Sequence, residues 1–205
     1  MYCPASFRQD DPNTLHTFIR TYPLGTLITS CHGLEANAIP FLLVESEQGL
    51  RLQAHIARAN PQLAALKQGG EVLVIFNGPE AYITPSWYPS KALHGKQVPT
   101  WNYTMVQVKG TVTVMDDSEW VYRQIDRLTQ QQESGLVEPW AVSDAPADYI
   151  ATQLKAIIGI EIAVTSIKGK FKLSQNRSTE DFQGVVDGLS QSNQLAVASL
   201  MKNLK

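Results

Sequence analysis

Leu24–Ile56, LGTLITSCHGLEANAIPFLLVESEQGLRLQAHI, decides the fold class. Leu24–Cys31 is threonine-rich and β-branched, and His32-Gly33 separates it from a second strand-like run, Ala36–Val44, so the two read as a hairpin. Gln48-Gly49 then leads into Leu50–Ile56. There Leu50, Leu52, Ala54 and Ile56 alternate with Arg51, Gln53 and His55, the two-residue period of a half-buried strand. Working outward, further strands are expected at Glu71–Phe76 and Ala81–Thr84, around a turn at Asn77-Gly78-Pro79, and at Ile160–Ile167. Asn102–Met115 is a long strand in which Gly110 invites a bulge or bend.

Helix signals fall between and after these strands. Asp10-Asp11-Pro12 pairs a cap with proline at the first helical position, and Asn60-Pro61 repeats the device before Leu63 and Leu66, with Gly69-Gly70 as the stop. Asp116 with Glu119 fits a capping box ahead of Trp120, Ile125 and Leu128, and Pro146 opens a helix through Ile157. Ser178 with Asp181 caps the first of two final helices, and Gly188 separates it from Asn193–Leu204. Strands and helices never alternate regularly, which argues against a doubly wound parallel sheet. The pattern predicts a mainly β, α+β domain: a small β-barrel over residues 1–177, with a helical C-terminal extension at 178–205 on the barrel or a dimer interface.

The chain has 205 residues, 43% hydrophobic and 18% charged, so it can close a core without staples. Its 17 basic and 19 acidic residues leave −2, which excludes a protein that wraps duplex nucleic acid by bulk charge. No 18-residue apolar run exists, so no membrane span is expected. Cys3 and Cys31 lack a CxxC spacing and read as free thiols, and the N-terminus lacks a signal-peptide pattern, so the expected location is the cytoplasm. Metal-spaced Cys/His sets, a P-loop and GxSxG are all missing from the sequence, and no metal site is expected.

Three segments could carry chemistry. Pro85–Tyr103, PSWYPSKALHGKQVPTWNY, holds three of the 11 prolines and two of the four tryptophans. Its aromatics suit a planar ligand or an interface, or else they pin a long loop to the barrel. Ile167–Arg177, IKGKFKLSQNR, carries Lys168, Lys170, Lys172 and Arg177 with no acid. An extended chain puts the three lysines on one face and Phe171 and Leu173 on the other, giving either an anion site or a protected strand edge. In His55–Pro61, Arg58 and the free amides of the following helix form an anion site or, on the bland reading, a capped turn with an exposed arginine.

MYCPASF, HIARANPQ, YITPSWYPSK, VPTWNY and KLSQNR follow one another in the order found in the PaiB-like family of FMN-binding negative transcriptional regulators, which the chain resembles from residue 1 to about residue 190. Leu63 departs from the pattern, where a tryptophan often follows Asn-Pro-Gln. The resemblance implies a split β-barrel related to pyridoxamine-phosphate-oxidase-like flavoproteins, a homodimer with shared flavin sites, and FMN as cofactor. It implies that His55, Arg58 and Asn60 approach the FMN phosphate. Thr100, Trp101 and Asn102 then line the isoalloxazine ring, and Lys172, Gln175 and Asn176 come from the second subunit.

Three functions follow from that resemblance: a flavin-binding regulator, an FMN-dependent oxidoreductase acting on a small substrate, or a split-barrel interaction protein without cofactor. No residue has a readable role as acid, base or nucleophile. Direct DNA reading is disfavoured, because Ser178–Lys205 carries Lys202 and Lys205 against Glu180, Asp181 and Asp187. Its apolar residues Leu195, Val197, Leu200, Met201 and Leu204 suit dimer packing better, so any DNA involvement is expected to be weak or indirect. The charge distribution points the same way. Pro85–Tyr103 and Ile167–Arg177 hold six of the 17 bases and no acid, so the rest of the chain has 11 bases against 19 acids, a net of −8. The cations lie where a phosphate-bearing ligand is expected.

Overall fold

The computed structural model describes residues 1–31 and 33–204, so His32 of the expected hairpin turn and Lys205 lie outside the described residues. After the two-residue strand β1 (Arg8–Gln9), helix α1 (Pro12–Thr21) starts as its sequence directs: the Asp11 carboxylate accepts from the Thr14 amide at 2.8 Å. β2 (Leu24–Thr29) and β3 (Glu35–Pro40) form the antiparallel hairpin, with Leu24 opposite Pro40 and Thr29 opposite Glu35. Ala36–Val44 is not one strand. It breaks at Phe41, whose amide donates to the Pro23 carbonyl at 2.9 Å and whose ring is fully buried. β4 (Leu42–Ser46) then pairs with β5 (Gly49–Ala57), where the expected alternation holds, with Leu52, Ala54 and Ile56 buried.

After α2 (Leu63–Lys67), Gly69 and Gly70 take φ of 72° and 100°, which stops the helix. β6 (Glu71–Ile83) runs through Asn77-Gly78-Pro79 as a single strand of 13 residues, where a turn between two shorter strands is expected. None of those three residues takes a positive φ, and pairing with β2 and β7 overrides the local turn preference. Beyond α3 (Ser90–His94), β7 (Thr100–Met115) is likewise unbroken at Gly110. That glycine is required by a close approach: a Cβ there would lie 2.3 Å from the Ala163 carbonyl oxygen.

Helix α4 (Ser118–Glu133) is capped by Asp117, which accepts from the Glu119 amide at 2.9 Å, so Asp116 is not the cap and its carboxylate is free for another partner. α5 (Ala147–Lys155) ends before the expected Ile157. β8 (Ile157–Lys172) extends beyond Ile167 through the basic stretch. α6 (Thr179–Gln191) is capped by Ser178 as expected but continues through Gly188, and α7 (Leu195–Lys202) follows. The sheet order is β3-β2-β6-β7-β8-β5-β4, with β1 against β8. Among the described residues, no helix is long and apolar enough to cross a membrane, and Cys3 and Cys31 are free thiols.

Two compact units share this chain. One collects Met1–Leu15, Asn77–Val106 and the chain from Lys168 onward; the other collects His16–Phe76 and Gln107–Ile167. In the first, Phe182, Val185, Leu189, Val197 and Met201 are buried with Tyr88, each such apolar side chain worth about 1.5–3 kcal/mol of transfer free energy. Val197 and Met201 are thereby spent inside the chain, leaving Leu195 and Leu204 exposed. The core of the second is Leu27, Phe41, Leu52, Val74, Phe76 and Ile160.

Candidate functional site

In the first unit, β8 ends with its lysines on one face, as the two-residue period requires: Phe171 is buried, while Lys168, Lys170 and Lys172 turn the other way. Lys172 Nζ donates to Thr100 Oγ1 at 2.5 Å and to the Trp101 carbonyl, joining the end of β8 to the start of β7. Burial lowers the Lys172 pKa from its usual range, and the positive charges of Arg177 and Lys170 lower it further. Lys170 donates to the Tyr2 carbonyl at 3.2 Å and lies 5.4 Å from the Tyr103 ring centroid. Arg177 donates to Gln97 Oε1 at 3.0 Å and sits 4.6 Å over the Tyr88 ring.

The turn after β8 treats its polar residues unequally. Gln175 accepts from the Leu173 amide at 2.7 Å and donates to the Phe171 carbonyl, so it braces the turn. Asn176 is exposed. Asn102 is fully buried and exchanges hydrogen bonds with the Ser174 hydroxyl at 3.0 and 3.1 Å, where Ser174 holds φ of 65°. The amide of Asn102 thus holds the turn in place from inside the unit.

The aromatics of Pro85–Tyr103 divide. Trp87 lies against the Gly184 and Gly188 face of α6, and Tyr88 is buried. These two pin the loop. Trp101 is 53% exposed and meets Tyr82, 49% exposed, edge to face at 5.9 Å. That pair offers ring surface to a planar ligand. No motif in the sequence singles out Tyr82; its place between the buried Ala81 and Ile83 on a strand is the signal that turns it outward.

In the second unit, His55 Nδ1 lies within hydrogen-bond distance, 2.8 Å, of Gln124 Oε1 on α4. Arg58 pairs with Asp116; that contact raises the arginine pKa and lowers the carboxyl's, each chiefly through the hydrogen bond between them. Asn60 Oδ1 accepts from the Gln62 amide at 2.9 Å, while the Leu63 and Ala64 amides go to the Asn60 and Pro61 carbonyls. The amides at the start of this five-residue helix are therefore already used, and Arg58 carries the anion-binding capacity of the segment. Gln62 is fully buried and donates to the Leu27 and Glu35 carbonyls.

Residues 1–166 match the family described as "Putative FMN-binding domain". An uncharacterized protein of Emericella nidulans is 36% identical, over 92% of this chain and 90% of that protein. The protease synthase and sporulation protein PAI 2 of Bacillus subtilis is 28% identical, over 99% of this chain and 97% of that one. The solved FAD and heme binding protein of Mycobacterium smegmatis shares the fold at a TM-score of 0.60 and 19% identity, over 80% of this chain and 73% of that one. The fold is a split β-barrel with helices, as the sequence predicts. Lys172, Gln175 and Asn176 lie beyond the family-matched segment and within the span shared with PAI 2.

Proposed function

The chain belongs to the FMN-binding domain family, and from that membership we propose a PaiB-like regulator: a homodimer that binds FMN and lowers transcription through a metabolite or partner protein rather than by reading DNA. The cofactor is FMN. The observation that carries the reading is the group around Lys172, where Lys170, Arg177 and a partly desolvated ammonium gather in a segment without acids, in the same unit as the exposed Trp101–Tyr82 pair. This donor set fits the ligand. A phosphate ester calls for cations, and a flavin ring calls for flat apolar surface and amide partners. Across the homodimer, Arg58 of one subunit would hold the phosphate together with Lys172 of the partner subunit; Trp101 and Tyr82 would flank the ring, and Asn176 would meet its polar edge. Bound FMN supplies reversible electron transfer. The chain's own residues bind and orient it, and none is posed as an acid, base or nucleophile.

The test is a titration of flavin-free protein with FMN and with riboflavin, followed by absorbance and melting temperature. A ligand of the folded state raises the melting point by mass action. Lys172→Met and Arg58→Met should each weaken FMN about tenfold more than riboflavin, as expected for a charge-assisted phosphate contact. A colourless protein whose melting point ignores FMN would overturn the reading. Equal losses for both ligands would remove these two residues from the phosphate.

A further inference from the structure

Helix α4 carries a second cationic feature, on the face that packs over β5. Arg123 and Arg127, four residues apart, line a cavity of about 100 Å³ together with Trp120, Gln124 and Gln53. Gln124 is 1% exposed. Its oxygen faces His55 at 2.8 Å, and its buried amide nitrogen has no hydrogen-bond partner. Buried donors are almost always satisfied, so an acceptor is called for at this point. Gln53 does not supply it: its amide nitrogen donates to Glu161 at 2.7 Å, and its oxygen makes no hydrogen bond to the Gln124 nitrogen. Arg123 is 3.6 Å from Glu119, while among the described residues Arg127 has no ion pair.

We propose that this cavity is a binding site for a small tetrahedral oxyanion of phosphate or sulfate size, held by the Gln124 amide and the Arg127 and Arg123 guanidinium groups. Its size selects the ligand class. The volume exceeds a water molecule's share of about 30 Å³. It falls below the roughly 300–1,000 Å³ of pockets that take drug-sized molecules, so a flavin does not enter. The two arginines set the sign of the charge, and their forked donors suit tetrahedral oxygens. Occupation would also fix the Gln124 amide, keeping its oxygen on His55. The site goes beyond the flavin reading and does not depend on it.

The experiment measures melting temperature of the full chain, saturated with FMN, against inorganic phosphate and separately sulfate, with chloride at matched ionic strength as reference. Both oxyanions should raise the melting point above the chloride baseline. Arg127→Gln, an exposed change that spares the fold, should weaken the apparent phosphate affinity about tenfold. Gln124→Met should weaken it as well, with FMN affinity retained in Arg127→Gln. A rise no greater than chloride gives, or one unchanged in both variants, would overturn the proposal. So would a rise seen only without FMN, because the anion would then be occupying the flavin's own phosphate position. If the protein binds no FMN, the same titration on flavin-free protein still tests the cavity, so the two readings fail separately.

Discussion

Lys172 at the end of β8 is bound to Thr100 at the start of β7, Nζ to Oγ1 at 2.5 Å, across 72 residues of sequence. The ammonium is partly desolvated and faces Arg177 and Lys170, so its pKa is lowered. A bound phosphate favours the charged lysine and draws that pKa back up. By linkage, FMN affinity must then fall as pH rises through the lowered pKa of the free protein toward the ordinary lysine value of about 10.4. The expected result is FMN binding that weakens through the alkaline range, riboflavin binding that changes less, and a Lys172→Arg variant that keeps its FMN affinity to higher pH. Paired fluorescence titrations of the two flavins check this; parallel curves would take Lys172 off the phosphate.

Arg58 and Asp116 set up a competition. The carboxylate already holds the guanidinium that an incoming phosphate would use, and both groups are substantially exposed. Asp116→Asn should tighten FMN by roughly two- to fivefold, the scale of a surface ion pair, and leave riboflavin unchanged. Acid acts in the same direction only well below the ordinary carboxylate range, because the Asp116 pKa is lowered by Arg58. An unchanged ratio of the two affinities in Asp116→Asn would place Arg58 away from the phosphate.

The features legible in the sequence are those that one short segment determines alone. The alternation in Leu50–Ile56 and the lysine period in Lys168–Lys172 both emerge as written, because side-chain direction along a strand follows from the backbone. Asn77-Gly78-Pro79 misleads because sheet partners distant in sequence outweigh a local turn preference. The break at Phe41 depends on the Pro23 carbonyl, and the choice of Asp117 as the α4 cap depends on hydrogen-bond geometry that two adjacent aspartates do not reveal. At the site, residue types were legible and their engagements were not. Asn102 and Gln175 look like free amides in VPTWNY and KLSQNR, yet Ser174 and the turn backbone occupy them. Gln124 sits on a helix with no motif around it, and only the unpartnered nitrogen marks it.

Gly188 looks like a helix stop and instead makes room for Trp87. A Cβ at 188 would lie 2.3 Å from Trp87 Cδ2, in the body of the ring rather than at a flexible tip. Alanine gains about 1 kcal/mol of helix preference over glycine, but overpacking costs about 1–3 kcal/mol. Gly188→Ala should therefore destabilise the protein in urea by up to about 2 kcal/mol. In a Trp87→Ala background the same change should stabilise, because the helix preference remains and the clash is gone. Stabilisation by Gly188→Ala in the parent would refute the groove.

Gln62 joins pieces of the second unit from inside. Its amide nitrogen lies within hydrogen-bond distance of the Leu27 carbonyl at 3.1 Å, the Thr29 hydroxyl at 3.2 Å and the Glu35 carbonyl at 3.3 Å, and its oxygen accepts from Asn37 at 3.0 Å. Gln62→Ala leaves several buried groups unpaired and a cavity, so a loss of at least about 2 kcal/mol is expected in urea unfolding. Gln62→Glu is the sharper probe. A carboxylate facing three oxygens is disfavoured in the fold, so the folded pKa of the new glutamate must rise above its unfolded value of about 4.3. The folded state then binds more protons, and the variant should lose stability relative to the parent as pH rises from about 4.3 through that higher pKa. Urea midpoints of variant and parent at about pH 5 and about pH 7 read this directly. A difference independent of pH would show that the Gln62 amide does not face these oxygens in the folded protein.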